Sequence, residues 1–267
     1  MKSKIKVRKP NYSFKETLPK HWMGEEIFKA HFGNTLTLIF PGAEKFFVRS
    51  IKNFIPNDNE ELKKEILGFI GQETQHSIQH EKLWDILRNQ GYEIDTFLNY
   101  FHFLGFEVIE KLLSNEMKIS VTAGLEHYTA MLAELALEHD AFESADPEMK
   151  ELFEWHCMEE LEHKSVAFDA LINSNPDYFH RIAGMIIATI LFMKFSGEGI
   201  LQFAFQDKQL FDSSYWEDAL DFLFFKESIL NKGIEKFLRY FSHDFHPSRV
   251  DTDHLLEKYN KRDKSAA

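Results

Sequence analysis

The sequence predicts an all-α fold: a four-helix bundle with a crossover helix between its halves and additional helices toward the C-terminus. Three observations carry this. Apolar residues recur at helical spacing along stretches too long for strands. Helix breakers are scarce, with 7 Pro and 12 Gly in 267 residues. A Glu-x-x-His pair occurs in two separate helical stretches, Glu73–His76 and Glu160–His163, each among apolar residues. That spacing puts a carboxylate and an imidazole one turn apart on the inward face of each helix.

Residues 1–20 are basic and polar, are punctuated by Pro10 and Pro19, and read as an extended arm. A first helical region starts near Gly24, is expected to break at Pro41-Gly42, and resumes at Ala43. Glu44 then falls on the stripe of Phe40, Phe47, Val48 and Ile51, where a carboxylate is costly unless paired or metal-bound. The turn at 55–59 supplies a capping Asn or Asp for a second helix over about 60–89, closed by Gly91. This helix carries Glu73 and His76. His80, one turn on, reads as a residue behind the ligands or in the core.

Residues 95–113 are rich in aromatics and suit a long crossover connection. A third bundle helix spans roughly 115–143 and offers Glu126, Glu134 and Glu138 as inward carboxylates. Folding the chain about Ala145 sets residues 127–130 opposite 160–163, which favours Glu126 and leaves Glu134 as the fallback or a supporting residue. Residues 177–206 form a further helix. Its apolar run, 182–193, is too short to span a bilayer and reads as buried core, with a membrane-surface contact as the alternative. A last pair of helices covers about 215–241. The expected organisation is an arm (1–20), a single helical domain (21–246) and a polar tail (247–267).

The stretch Trp155–His163 is the densest in chemistry. His156, Glu160 and His163 share one helical face, where an oxygen ligand and two imidazoles can converge on a transition metal. The candidate metal ligands are Glu44, Glu73, His76, Glu126, His156, Glu160 and His163, with no catalytic residue beyond them. Four carboxylates and three imidazoles suit a pair of iron ions, or manganese or a mixed Fe/Mn pair; zinc usually takes a compact four-coordinate set.

Other classes are disfavoured. A formal charge of −12 argues against nucleic acid as a partner. The single Cys157 forms no internal disulfide and no Cys-rich metal site, and reads as a packed residue. No apolar segment follows the basic N-terminus as in a signal peptide, so a cytoplasmic location is expected. Phosphate-binding and nucleophile-elbow glycine motifs are absent. His76–His80 has Ser77 where the zinc-protease motif needs Glu.

With Glu44 and Glu126, the two Glu-x-x-His pairs resemble those of ferritin-like di-iron proteins. His156, four residues before Glu160, resembles the third histidine of the di-iron N-oxygenases related to p-aminobenzoate N-oxygenase, which oxidise an arylamine. Pro41-Gly42-Ala43-Glu44, Gln72-Glu73-Thr74-Gln75-His76 and Glu160-Leu161-Glu162-His163 resemble the bacterial family described as predicted metal-dependent hydrolases, over most of residues 15–250. These resemblances imply a ferritin-like bundle and a di-iron carboxylate oxidoreductase. It would activate dioxygen to oxidise or oxygenate a small organic substrate in an apolar pocket. A metal-dependent hydrolase using an activated water is the alternative, and a non-catalytic metal-binding protein a further one. The partners this reading allows are a small-molecule substrate, an electron-donor protein and a homodimer through the late helices, with no transmembrane segment.

Overall fold

The computed structural model describes residues 5–225 and 228–266, and among them every regular element is helical. In chain order these are α1 (Ile27–Ile51), α2 (Glu60–Asn89), α3 (Asp95–His102), a π-helical stretch (Phe103–Ile109) and α4 (Glu110–Leu112). Then come α5 (Asn115–Glu138), α6 (Pro147–His163), α7 (Val166–Asn173) and α8 (Tyr178–Gln206). The C-terminal part adds α9 (Ser213–Phe224), α10 (Ile229–Arg239) and α11 (Asp253–Ala266).

Helix starts are written in the sequence. Asn59 accepts from the Leu62 N–H at 3.1 Å and Ser114 from the Met117 N–H at 3.2 Å, each satisfying an orphan donor of a first turn. Asp146 caps α6, with Pro147 in the first turn where its missing N–H costs nothing. The bundle consists of α1 along α2 and α5 along α6, with α1 also against α5 and α2 against α6. The segment 95–112, made of α3, the π-helical stretch and α4, joins the two halves.

The expected break at Pro41-Gly42 does not occur: α1 is one continuous helix through Pro41. Proline offers no N–H to the carbonyl of Thr37. Trp84 Nε1, from α2, donates to that carbonyl at 3.1 Å instead. The neighbouring helix thus supplies the missing hydrogen bond, and Glu44 stays in helical register one turn beyond Phe40.

Helix α8 lies over α1 and α5. Close approach to α5 needs glycine, since a Cβ on Gly184 would sit 2.2 Å from Ser120 Oγ. The buried-core reading of this helix is corrected. Ile186, Ile190, Met193, Leu201 and Phe205 form an exposed stripe, with Ile190 60% accessible. A helix laid on a groove between two others buries only the face toward them, here Met185, Ala188, Phe195, Gly199 and Phe203. Tyr178–Gln206 is long and apolar enough to cross a membrane, and a third of its most apolar stretch is buried.

The segment 247–267, read as a polar tail, contains α11. Leu255, Leu256 and Tyr259 are buried against Ala133, Leu137, Cys157 and Leu161. Three apolar residues in a short polar helix suffice to dock it on α5 and α6. At the other end, residues 5–15 have no regular secondary structure and run across α2. There Gln79 Nε2 donates to the Pro10 carbonyl at 2.8 Å and Lys82 Nζ to that of Tyr12 at 2.9 Å.

Candidate metal centre

Between the four bundle helices lie the seven predicted donors, all buried: Glu44 from α1, Glu73 and His76 from α2, Glu126 from α5, and His156, Glu160 and His163 from α6. Glu160 is central. Its Oε1 lies 3.5 Å from His76 Nδ1, 3.1 Å from His156 Nε2 and 3.6 Å from His163 Nε2. Glu73 Oε1 lies 3.1 Å from His163 Nε2 and 3.6 Å from His76 Nδ1. Glu126 Oε2 approaches His163 Nε2 at 3.4 Å, and Glu44 Oε1 approaches His156 Nε2 at 4.0 Å. The donors fall into overlapping groups whose ligand atoms lie within 4.8 Å of one another: Glu44 with His76 and His156, Glu73 with Glu126 and His163, and Glu73 with His76 and Glu160.

His156 Nε2 is hydrogen-bonded to Glu160 Oε1, but most of the other atoms converge without bonding. Glu44 Oε1, both oxygens of Glu73, both of Glu126, Glu160 Oε2, His76 Nδ1 and His163 Nε2 are buried and take part in no hydrogen bond. A buried polar atom left unpaired is expensive, and here eight of them face one another in one small volume. Metal ions satisfy such a set at once; the residues fit a pair of cations.

Protonation follows the same crowding. Burial and the neighbouring Glu73 push Glu44 well above the usual carboxylate range. Burial, Glu160 and Glu73 push Glu126 up to about 8. Burial opposes the charge on His76, but the hydrogen bond to Glu159 and the nearby Glu73 carboxylate outweigh it and raise the imidazole to about 10. Against the same opposition, Glu160 and its neighbours raise His163 well above its ordinary value. Burial also opposes ionisation of Glu73 and Glu160, yet the histidines hold both below the ordinary range.

Two residues that sequence reasoning missed hold the histidines from behind. Glu159 Oε2 lies 3.1 Å from His76 Nε2, and Gln72 Oε1 lies 2.9 Å from His163 Nδ1. Each immediately precedes the Glu of one motif and reaches the His of the other. The signal was a second polar residue before each Glu, in Gln72-Glu73 and Glu159-Glu160. His80 stands behind His156, with its Nε2 at 2.8 Å from His156 Nδ1 and its Nδ1 at 3.2 Å from Thr37 Oγ1. Glu134 does not join the centre and pairs with Lys236 at 2.7 Å. Eight residues of helix set it about 12 Å along α5 from Glu126, too far to reach the same ions.

An apolar cavity of about 90 Å³ ends on His156 and Glu160. Phe32, Leu36 and Phe40 of α1 form one wall, and Leu132, Ala133 and Ala136 of α5 another. A second group of potential ligands, His21, His31 and Asp207, lies apart from the centre. It differs in being satisfied: Asp207 accepts from Lys20 and Tyr92 and bonds both imidazoles, and His31 Nδ1 bonds the Tyr215 hydroxyl at 3.0 Å. No atom of it is orphaned, so it reads as a polar knot.

The family model described as predicted metal-dependent hydrolase matches residues 6–251. The chain belongs to that family. The match includes all seven donors, Glu159, Gln72 and most of the N-terminal arm. Neither a search of curated proteins nor one of solved structures gave a match. Membership of the family of predicted metal-dependent hydrolases agrees with the metal dependence that the buried donors imply.

Proposed function

We propose that this chain is a dimetal carboxylate enzyme of the ferritin-like kind, holding two iron ions in Glu44, Glu73, His76, Glu126, His156, Glu160 and His163 and oxidising a small apolar substrate. The observation that carries the reading is the set of eight orphaned donor atoms at the end of an apolar cavity. When bound, a pair of iron ions supplies the electrons that reduce dioxygen, with a donor protein renewing them. The chain's own part is to hold the donors in place, exclude water and present the substrate. Phe32, Leu36 and Phe40 offer carbon surface only, so a substrate is placed by shape and apolar contact. His156, stacked on His76 at 4.1 Å between ring centroids, stands where the cavity meets the cluster. A third imidazole there supports the likeness to the arylamine N-oxygenases.

The family's description favours a second reading, metal-dependent hydrolysis, in which the ions serve as Lewis acids. The two separate cleanly. Protein loaded anaerobically with ferrous iron is mixed with dioxygen while oxygen uptake and the optical spectrum are followed. The same protein, loaded with manganese or zinc, is assayed without oxygen on a panel of apolar esters and amides. Oxygen uptake stoichiometric with iron, and no hydrolysis, is the expected result. Anaerobic ester or amide cleavage together with inert ferrous protein would transfer the assignment to hydrolysis.

A further inference from the structure

We propose that Arg8 of the N-terminal arm is a positioning residue for the metal centre: its one guanidinium anchors both relays that decide which ring nitrogen of His76 and of His163 faces the ions. The proposal rests on reading the seven donors as a metal centre, and not on which reaction occurs there.

Arg8 reaches two carboxylates of α6. Its Nη2 donates to Glu162 Oε1 at 2.7 Å, and its Nη1 donates to Glu162 Oε2 at 2.9 Å and to Glu159 Oε1 at 3.0 Å. One relay is short. An ionised carboxylate only accepts hydrogen bonds. Glu159 Oε2 therefore holds a proton on Nε2 of His76, so Nδ1 is the nitrogen that would lose its proton to an ion, toward Glu73 and Glu160.

The other relay has one more member. Gln72 Nε2 donates to Glu162 Oε2 at 2.8 Å and to the Lys6 carbonyl at 3.2 Å. Both partners are pure acceptors, so the amide cannot turn round, and its oxygen must face His163 Nδ1. That ring nitrogen must then carry a proton, so Nε2 is the nitrogen left for an ion, toward Glu73, Glu126 and Glu160. The two histidines thus use opposite nitrogens, and both choices trace back to the carboxylates that Arg8 holds. Glu159 and Glu162 stand one turn apart and are almost wholly buried. Without a cation between them their mutual repulsion would favour protonation or displacement of one.

The arm is shaped to deliver this residue. A Cβ on Gly71 would lie 2.5 Å from Val7, and one on Gly68 would lie 2.7 Å from Ile5. Two missing side chains on α2 make the slot in which Ile5 and Val7 lie, and Val7 sets Arg8 beside α6. Supporting residues of this kind typically change metal affinity by about 10–100-fold when removed.

The test uses full-length wild type, Arg8→Gln, Arg8→Lys and Glu162→Gln. Each is titrated with Co(II) by equilibrium dialysis and followed by visible absorption. Circular dichroism reports folding, and limited proteolysis reports whether the arm stays docked. Two ions per wild-type chain are expected, and a wild type that binds none would sink the metal-centre reading itself. Arg8→Gln should bind about 10–100-fold more weakly, with shifted cobalt bands, and Arg8→Lys should recover part of the loss. Glu162→Gln keeps Arg8 on Glu159 but frees Gln72 to turn, so it should alter the bands of one ion only. The inference fails if Arg8→Gln binds both ions as wild type does. It fails equally if Arg8→Gln loses metal only because the arm is released, while Glu162→Gln matches wild type in affinity and spectrum.

Discussion

Without bound ions, Glu126, raised to about 8, and His76, raised to about 10, hold a proton at pH 7, and Glu44 and His163 are shifted in the same direction. Glu73 and Glu160 are ionised, because the histidines hold both below the ordinary range. Burial keeps His156 and His80 neutral by lowering both. Two divalent ions would displace the protons held by Glu126 and His76. This predicts the release of at least about two protons per two ions at pH 7. It also predicts metal affinity that rises with pH, since protons compete for the donors. Calorimetric titration in buffers of different ionisation enthalpy measures the proton count directly; a count near zero would mean that the donors are not the ligands. Glu73, His76, His156, Glu160 and His163 are legible in the sequence because i, i+3 and i, i+4 spacings are local properties of a helix, while Glu44 and Glu126 are legible through an apolar stripe and the folding of the chain about a turn. Glu159, Gln72 and Arg8 are not, since each acquires its role from a residue on another element.

At the scale of elements, α1 shows why a helix break can be misread. Pro41-Gly42 carries every local signal of an interruption, and the hydrogen bond that removes it comes from Trp84, 43 positions on from Pro41 in the sequence. Trp84→Phe should leave the Thr37 carbonyl unpaired at a cost of about 1–3 kcal/mol. Pro41→Ala restores a helical N–H to the same carbonyl, so Trp84→Phe should cost less in that background. A double-mutant cycle by denaturant unfolding measures the coupling. Strict additivity would show that Trp84 contributes only packing. The bounds of α2 and α8 lie close to their expected ranges, since strong caps and long periodic stretches define them. The exposure of α8 was hidden, because a hydrophobic run does not reveal how many neighbours it will meet.

Asp207 acts on the molecule as a whole, tying chain segments far apart in sequence. It accepts from Lys20 and Tyr92 and bonds His21 and His31, and His31 in turn holds Tyr215 of α9. Burial alone would raise the Asp207 carboxyl, but the hydrogen bonds from Lys20, Tyr92, His21 and His31 outweigh it and hold it well below the ordinary range. A depressed carboxylate stabilises the fold fully above its unfolded value of about 3.9. That contribution disappears as the pH falls toward the lower folded value, where both states bind the proton. Asp207→Asn should therefore destabilise the metal-free protein near pH 7 on the order of 3 kcal/mol, the scale of breaking a buried ion pair. At about 2–4 °C per kcal/mol this is roughly 6–12 °C in melting temperature. The gap between wild type and variant should hold down to about pH 4 and close below about 3.9. Melting curves of both metal-free proteins between pH 7 and pH 2 test this. A gap that persists unchanged to the acid limit would show that Asp207 stabilises through shape and neutral hydrogen bonds, with its charge contributing nothing.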